Sequence, residues 1–368
     1  MSNLLQANTK VMNIKYLIDM FSKGIKKNIT QLIPENIRSY LRYILKLIKI
    51  IPLAISEVRL AYNYAYDFTN FIRWSSVRGS STQTQLGALI TMDYHRIEKG
   101  LALKEPKVGF GTDIIERLLS NLWEYQKKYG VDEIVQISIN TLVAYYEFNL
   151  NNSLKNDRLY HELLNLKEII PADIKVHQGG VLKITGKQII ESSQINFRDF
   201  VNSRYSIRHF APIDVEISLI EKAIEMAQKT PSVCNRQSSK VHIFTSNEDK
   251  SKVLKFQNGN RGFGEQISKV LIVTSDLQNF VSAGERNQSW IDGGMFSMSL
   301  VYALHSLGLG TCCLNWSVQH QTDTNLKQVA GIKDSEVVIM MIAVGHLPNE
   351  LNVAQSPRKN ICEVMIVH

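Results

Sequence analysis

Arg204-Tyr205-Ser206-Ile207-Arg208-His209-Phe210, followed by Ala211-Pro212, is the stretch from which the rest of the chain can be read. Two guanidinium groups four residues apart, with a hydroxyl between them, converge on one anionic ligand if the segment is extended or turning. Arginine suits a phosphate because its planar fork donates two parallel charge-assisted hydrogen bonds. The same spacing also describes two solvated arginines or surface ion pairs, so its meaning depends on what else in the chain points the same way.

A chain of 368 residues is long enough for two domains, since a single core stops growing near ~250 to 300 residues. Apolar residues make up 44% and charged residues 21%, which excludes wholesale disorder. The net charge of +8 is concentrated at the N-terminus, where residues 1–50 carry nine lysines and arginines against Asp19 and Glu35. The C-terminal half therefore has no general basic face, and nucleic acid is not an expected partner. Cys234, Cys312, Cys313 and Cys362 show no C-x-x-C spacing, so no zinc or other metal site is expected. Cys312-Cys313 reads either as a strained vicinal disulfide or as two small buried thiols in a strand, and the second fits a reducing, cytoplasmic compartment. No cleavable signal peptide is expected, because lysines interrupt the first apolar stretches.

Leu17, Ile18, Phe21 and Ile25 recur at helical spacing, and after Pro34 a second helix sets Ile37, Leu41, Ile44, Leu45 and Ile48 against Arg38, Arg42, Lys46 and Lys49. Such a basic amphipathic segment either lies on an anionic membrane surface or packs on its own protein with a solvated basic face. Peripheral membrane contact through residues 1–50, on the cytoplasmic face, is one expectation; a membrane span is not. Helical periodicity continues over 53–78, 114–129 and 132–150. The segment His95-Arg96-Ile97-Glu98-Lys99-Gly100-Leu101 offers a His-x-x-Glu pair that lacks further metal ligands and reads as a structural hydrogen-bond cluster. Gly179-Gly180 supplies a turn near a domain boundary, giving a helical region over 1–190 and a second domain over 191–368.

The second domain alternates helices with short apolar strands. Asp214 is placed to cap a helix bearing Leu219, Ile220, Ala223 and Ala227, and 241–245, 270–274, 311–315 and 337–344 read as strands. Asp292-Gly293-Gly294 opens a long apolar helix over 289–307. The small residues there admit either a flat ligand or a close-packed backbone. Pro231-Ser232-Val233-Cys234-Asn235-Arg236-Gln237 places a hydroxyl and two amides on a loop, and Ser356-Pro357-Arg358-Lys359 repeats the hydroxyl and cation chemistry of the opening stretch.

Taken in order, Arg204 to Phe210, Pro231-Ser232 with Asn235 and Gln237, Gly308-Leu309-Gly310-Thr311, and Arg358-Lys359 resemble the four signatures of the FMN-dependent nitroreductase family. The resemblance covers roughly residues 197–368. It implies an α+β nitroreductase-like fold, with a central mixed β-sheet flanked by helices and preceded by a mainly α-helical N-terminal region. It implies a homodimer with an FMN in each interface site, NAD(P)H as co-substrate and a small-molecule electron acceptor. Carried over residue by residue, Arg204, Tyr205, Ser206 and Arg208 would come from one chain, with Arg204 and Arg358 at the phosphate. Arg208 would sit at the pyrimidine edge of the ring, where a cation stabilises the anion of the reduced flavin. Pro231, Ser232, Asn235 and Gln237 would come from the partner chain, and Cys313, Leu314 and Asn315 would border the ring or phosphate.

Ser238 and Ser239 stand where the family often has Pro-Trp, so local packing differs there. Gly259-Asn260-Arg261-Gly262-Phe263-Gly264 lacks the glycine spacing of a dinucleotide fingerprint and reads as a loop near the substrate mouth. Glu285 and Arg286 are candidate substrate contacts. The arrangement of the His95–Leu101 segment ahead of such a domain resembles nitroreductase-like proteins associated with bacterial surface-polysaccharide biosynthesis. Three functions stay open: an NAD(P)H-dependent flavin oxidoreductase, a specialised flavin enzyme with little generic reductase activity, and a membrane-associated non-catalytic scaffold on a flavin fold.

Overall fold

The computed structural model describes residues 35–171 and 178–368, with side chains described from residue 55 onward except that of Ser192. The expected helix beginning near Ile14 and the proposed membrane contact through residues 1–50 lie outside the described residues or their described side chains. The chain divides into two compact units between Ala65 and Tyr66, the second running over 66–368. Helix α1 spans Glu35–Trp74. The second unit then builds α2 (Gln83–Leu101), α3 (Thr112–Tyr129), α4 (Glu133–Asn151) and α5 (Asp157–Glu168), followed by the short α6 (Gly186–Ser192) and α7 (Phe197–Asn202). After α8 (Ile217–Ala227) come β1 (Ser239–Phe244), α9 (Asn247–Leu254), β2 (Lys269–Asp276), α10 (Gln288–Ser306), β3 (Leu309–Asn315), α11 (His320–Ala330) and β4 (Glu336–His346).

Helices α2 to α5 bury one continuous apolar cluster of their own, running from Leu86 to Leu166. The turns that set their ends follow local chemistry. Thr82 and Gln85 form a reciprocal capping box at the start of α2, and Asp132 accepts from the Ile134 and Val135 amides at the start of α4. His95 Nδ1 lies 3.0 Å from Glu98 Oε2, while Asp93 is fully buried and takes a bidentate pair of bonds from Arg117 at 2.7 and 2.8 Å. The His-x-x-Glu pair is thus a hydrogen-bonded pair, and among the described residues no cluster of three or more metal-ligating side chains exists. Gly179 and Gly180 both take positive φ; a Cβ on Gly179 would lie 2.5 Å from the Ile137 carbonyl oxygen, so this turn onto α4 needs glycine.

Four antiparallel strands in the order β1-β2-β4-β3 form the sheet, and its parallel component is one bridge, Ser206 to Thr311, outside the named strands. All eight β2 residues are buried, because helices and loops cover both faces of this central strand. On one face α8 and α10 close over Leu271, Val273, Ile342 and Val344; on the other, Val270, Ile272, Met341 and Ala343 pack with Ile207, Phe210 and Leu326. Gly293 sits under this arrangement for packing: a Cβ there would lie 2.5 Å from Ile339 Cγ1, so its loss of side chain lets α10 approach β4. Asp214 does not cap α8. Glu216 occupies that position without a side-chain bond, and Asp214 instead accepts from Ser268 at 2.9 Å and pairs with Lys269. The expected pair of buried thiols is half right: Cys312 is buried and Cys313 exposed, both free, because side chains alternate along β3.

Two glycines seat the opening stretch on the sheet. Gly310 and Gly345 are register partners on β3 and β4. A Cβ on Gly345 would lie 2.6 Å from Phe210 Cδ1, and one on Gly310 would lie 3.1 Å from Ile207 Cγ1. Gly345→Ala should therefore lower stability by roughly 1 to 3 kcal/mol through overpacking against Phe210. Thermal unfolding checks this, with an unchanged Tm contradicting the seat.

Candidate functional site

The stretch Arg204 to Phe210 meets the free edge of β3 at Ser206 and Ile207 and then passes to the end of β4. The Ile207 amide donates to Thr311 O at 2.8 Å and the Ala211 amide to His346 O at 2.9 Å. Ile207 and Phe210 turn inward as anchors, while Arg208 and His209 remain exposed and Arg204 and Ser206 are half-buried. With these two anchors three residues apart, the polar residues between and before them stay at or near the surface. Arg204 and Arg208 make no ion pair with a carboxylate among the described residues. Their charge is felt locally. Burial pushes the Cys312 thiol up while Arg208 draws it back, and burial pulls the His305 imidazole down with Arg204 adding to the effect against a Phe200 backbone hydrogen bond. Cys313 and Asn315 lie on the exposed face of β3; Leu314 turns into the core and offers the surface only its backbone.

The Pro231–Gln237 loop adjoins β1, at the opposite edge of the sheet. Three strand spacings separate the two edges, about 14 Å. Cys234, Asn235 and Gln237 take φ of 49°, 53° and 47°, a region rarely used by residues other than glycine. Several bonds hold the loop there. The Val233 amide donates to Asp292 Oδ2 at 3.1 Å, the Gln237 amide to Ser232 Oγ at 3.0 Å, and Arg236 Nε to Val233 O at 3.1 Å. Arg236 is buried, lies over the Phe280 ring at 5.6 Å and forms a bidentate pair with Glu285 at 2.7 and 3.1 Å. Although burial opposes ionisation of Glu285, bonds from Arg236 and from the Val281 amide hold its carboxyl below the ordinary range. Its carboxylate is therefore committed to clamping the loop, whereas Arg286 is exposed. Pro231, Ser232, Gln237, Lys240 and Asp292 line a cavity of about 310 Å³ beside α10.

Beneath Lys240 lies a charged network. Its Nζ bridges Asp276 at 2.9 Å and Glu336 at 3.1 Å, and Glu336 also accepts from Thr274 at 2.6 Å and contacts His242 Nε2 at 2.7 Å. Burial would raise the Glu336 carboxyl, but the bonds from His242, Thr274 and Lys240 bring it down to about 2. A depressed carboxylate stabilises the fold above its unfolded pKa, and that contribution is lost as pH falls from about 4.5 to about 2. Glu336→Gln should flatten the acid limb of a Tm-against-pH curve in this window. An acid limb identical to the wild type would contradict this assignment.

The Nitroreductase family model matches residues 201–260 and 247–346. The C-terminal half carries a nitroreductase family domain. No curated protein matches the chain. Among solved structures, the chain is similar to the nitroreductase family protein of Streptococcus pneumoniae, at 20% identity over 47% of this chain and all of that one, with a TM-score of 0.41. It is likewise similar to an FMN-dependent nitroreductase of Clostridium difficile, at 19% identity over 43% of this chain and 91% of that one, with a TM-score of 0.37.

Within the nitroreductase domain the first and third motifs meet at the β3 edge, and the second lies at the other edge. Arg358 sits on the exposed C-terminal tail, where its Nη1 donates to Ser356 O at 2.7 Å, and that bond keeps it within its own turn. Tyr205 is exposed. The loop 259–264 touches the site region through Phe263, packed near Phe210, and Gln257, just before the loop, donates to Asn315 O at 3.0 Å. The roles of Arg236, Asp292, Lys240 and Gln257 escape a reading of the sequence because the partners Glu285, Val233, Asp276 and Glu336, and Asn315 are 36 to 96 residues away, which no local spacing reveals.

Proposed function

We propose that this protein is an FMN-dependent oxidoreductase that passes hydride from NAD(P)H to a small organic acceptor, working as a homodimer. The observation that carries this reading is the placement of the motifs: two guanidinium groups, unpaired among the described residues, at one edge of the sheet, and a strained polar loop at the other. A single chain separates these halves, and a site shared by two copies joins them. The residues fit FMN. Arg204 and Arg208 pair with no carboxylate among the described residues, Cys313 and Asn315 are exposed on β3, and Ser232, Asn235 and Gln237 present polar groups from the loop.

When bound, FMN supplies the two-electron chemistry. Arg204 would hold the phosphate with Arg358, and Arg208 would meet the pyrimidine edge. Because neither arginine has a competing carboxylate among the described residues, its charge is available to the ligand. The left-handed backbone at Asn235 and Gln237 turns their side chains out of the core, and the Asp292 and Arg236 bonds fix that geometry before any ligand arrives.

An apolar stripe on α10, with Ile291, Met295 and Met298 exposed at helical spacing, supports a second copy as the partner. No helix among the described residues is long and apolar enough to cross a membrane; peripheral attachment through residues 1–50, on the cytoplasmic side, is part of this proposal. So is an acceptor drawn from surface-polysaccharide biosynthesis, which rests on the resemblance of the His95–Leu101 segment alone. Stripping the purified protein and titrating it with FMN tests the central reading. Saturation at one flavin per chain, by a species with the mass of two chains, is expected; a monomer that takes up no flavin would contradict it.

A further inference from the structure

We propose that a cavity between the end of α1 and the start of α2 is a binding site for a phosphate ester. None of the residues assigned above to flavin lines it. It has a volume of about 500 Å³ and lies wholly within the unit 66–368. Arg73 and Arg78 line it, and no aspartate or glutamate is among its lining residues. Neither arginine pairs with a carboxylate among the described residues, and Arg73 is steadied over the Trp74 ring at 4.8 Å. Two guanidinium groups on one cavity, with no carboxylate lining it, suit an external anion.

Ser75 gives the second and independent pointer. It lines the cavity at 2% exposure, and its hydroxyl has no hydrogen-bond partner among the described residues. The main chain that carries it is held in place: the Ser75 amide donates to Phe71 O at 2.9 Å, the next amide donates to Phe280 O at 2.8 Å, and Gln85 Nε2 donates to Trp74 O at 2.8 Å. A buried hydroxyl left unsatisfied is costly, and a ligand oxygen would satisfy it. Ser80 and Ser81 add hydroxyls at the N-terminal side of α2, whose first turn has no acidic residue to oppose an anion.

Phe68 and Ile72 form the remaining wall, so the cavity accepts an anion joined to an apolar or ring-bearing group. Such a phosphate can belong to a soluble ester or to a lipid headgroup. The experiment uses the full chain, with inorganic phosphate and phenyl phosphate as probes in isothermal titration. Saturable binding is expected, tighter for phenyl phosphate. Arg73→Gln and Arg78→Gln, both on exposed side chains, should each weaken it by roughly tenfold or more. Ser75→Ala should lower affinity while leaving Tm unchanged or higher, which separates a binding role from a structural one. Vesicles of phosphatidylcholine with and without phosphatidic acid distinguish the source. Cosedimentation that depends on phosphatidic acid and is lost in Arg78→Gln assigns a lipid phosphate, and binding of the free esters alone assigns a soluble one. Absence of saturable phosphate binding, or wild-type affinity in both arginine variants, would overturn the proposal.

Discussion

Glu285→Ala is expected to destabilise the protein by roughly 3 to 5 kcal/mol, the largest effect of any substitution considered. The cost arises because Arg236, whose side chain is 1% exposed, would keep its charge in the interior with no carboxylate to meet it. The bond from the Val281 amide would be lost with the carboxylate. The same change frees the Pro231–Gln237 loop from the clamp that holds three non-glycine residues at positive φ, so the loop should relax toward ordinary backbone. Denaturant unfolding checks the stability, and replacing Arg236 and Glu285 together by Met and Leu checks the cause. If the pair acts through charge, the double variant should recover much of the loss, since a buried ion pair is often matched by apolar side chains of similar volume. A single Glu285→Ala variant as stable as the wild type would contradict the clamp.

Arg204→Ala is expected to weaken FMN binding by about 10- to 100-fold, the loss of one or two charge-assisted bonds to phosphate. Arg208→Ala should impair reduction of the flavin more than its retention, because a cation at the ring edge acts on charge that develops during reduction. Neither substitution leaves a buried partner unpaired among the described residues, so both variants should fold normally. Fluorescence titration with FMN measures retention, and rapid mixing with NADPH under anaerobic conditions measures reduction. The reverse pattern, with Arg208→Ala losing flavin and Arg204→Ala keeping it, would overturn the division between phosphate end and ring end.

The strands were legible in the sequence because β-branched runs such as Val270 to Thr274 and Val337 to Val344 mark them directly, and each lies inside an observed strand. Helices α3, α4 and α10 were equally plain from their periodicity. Helices α5 to α7 were not. Two of them are short and carry mainly exposed residues, so their apolar pattern has no buried face to enforce it. Asp214 misled because an acidic residue before an apolar run has the form of a cap; only the fold shows that Lys269 and Ser268, more than 50 residues away, hold its carboxylate. The site divides in the same way. Arg204, Ser206 and Arg208 were visible as a local motif, and the glycines that seat them were present in the sequence. That Gly310 and Gly345 face Ile207 and Phe210 depends on strand register, a long-range property. Glu285 showed its charge but not its use, because its partner Arg236 sits 49 residues earlier inside a motif read for its amides.

The visible spectrum of the purified protein, taken before and after anaerobic addition of NADPH or NADH, tests the central claim most directly. An oxidised flavin band that bleaches with one of the two nucleotides, and returns on adding a quinone, is the expected result. A colourless protein that takes up no FMN on reconstitution would contradict it.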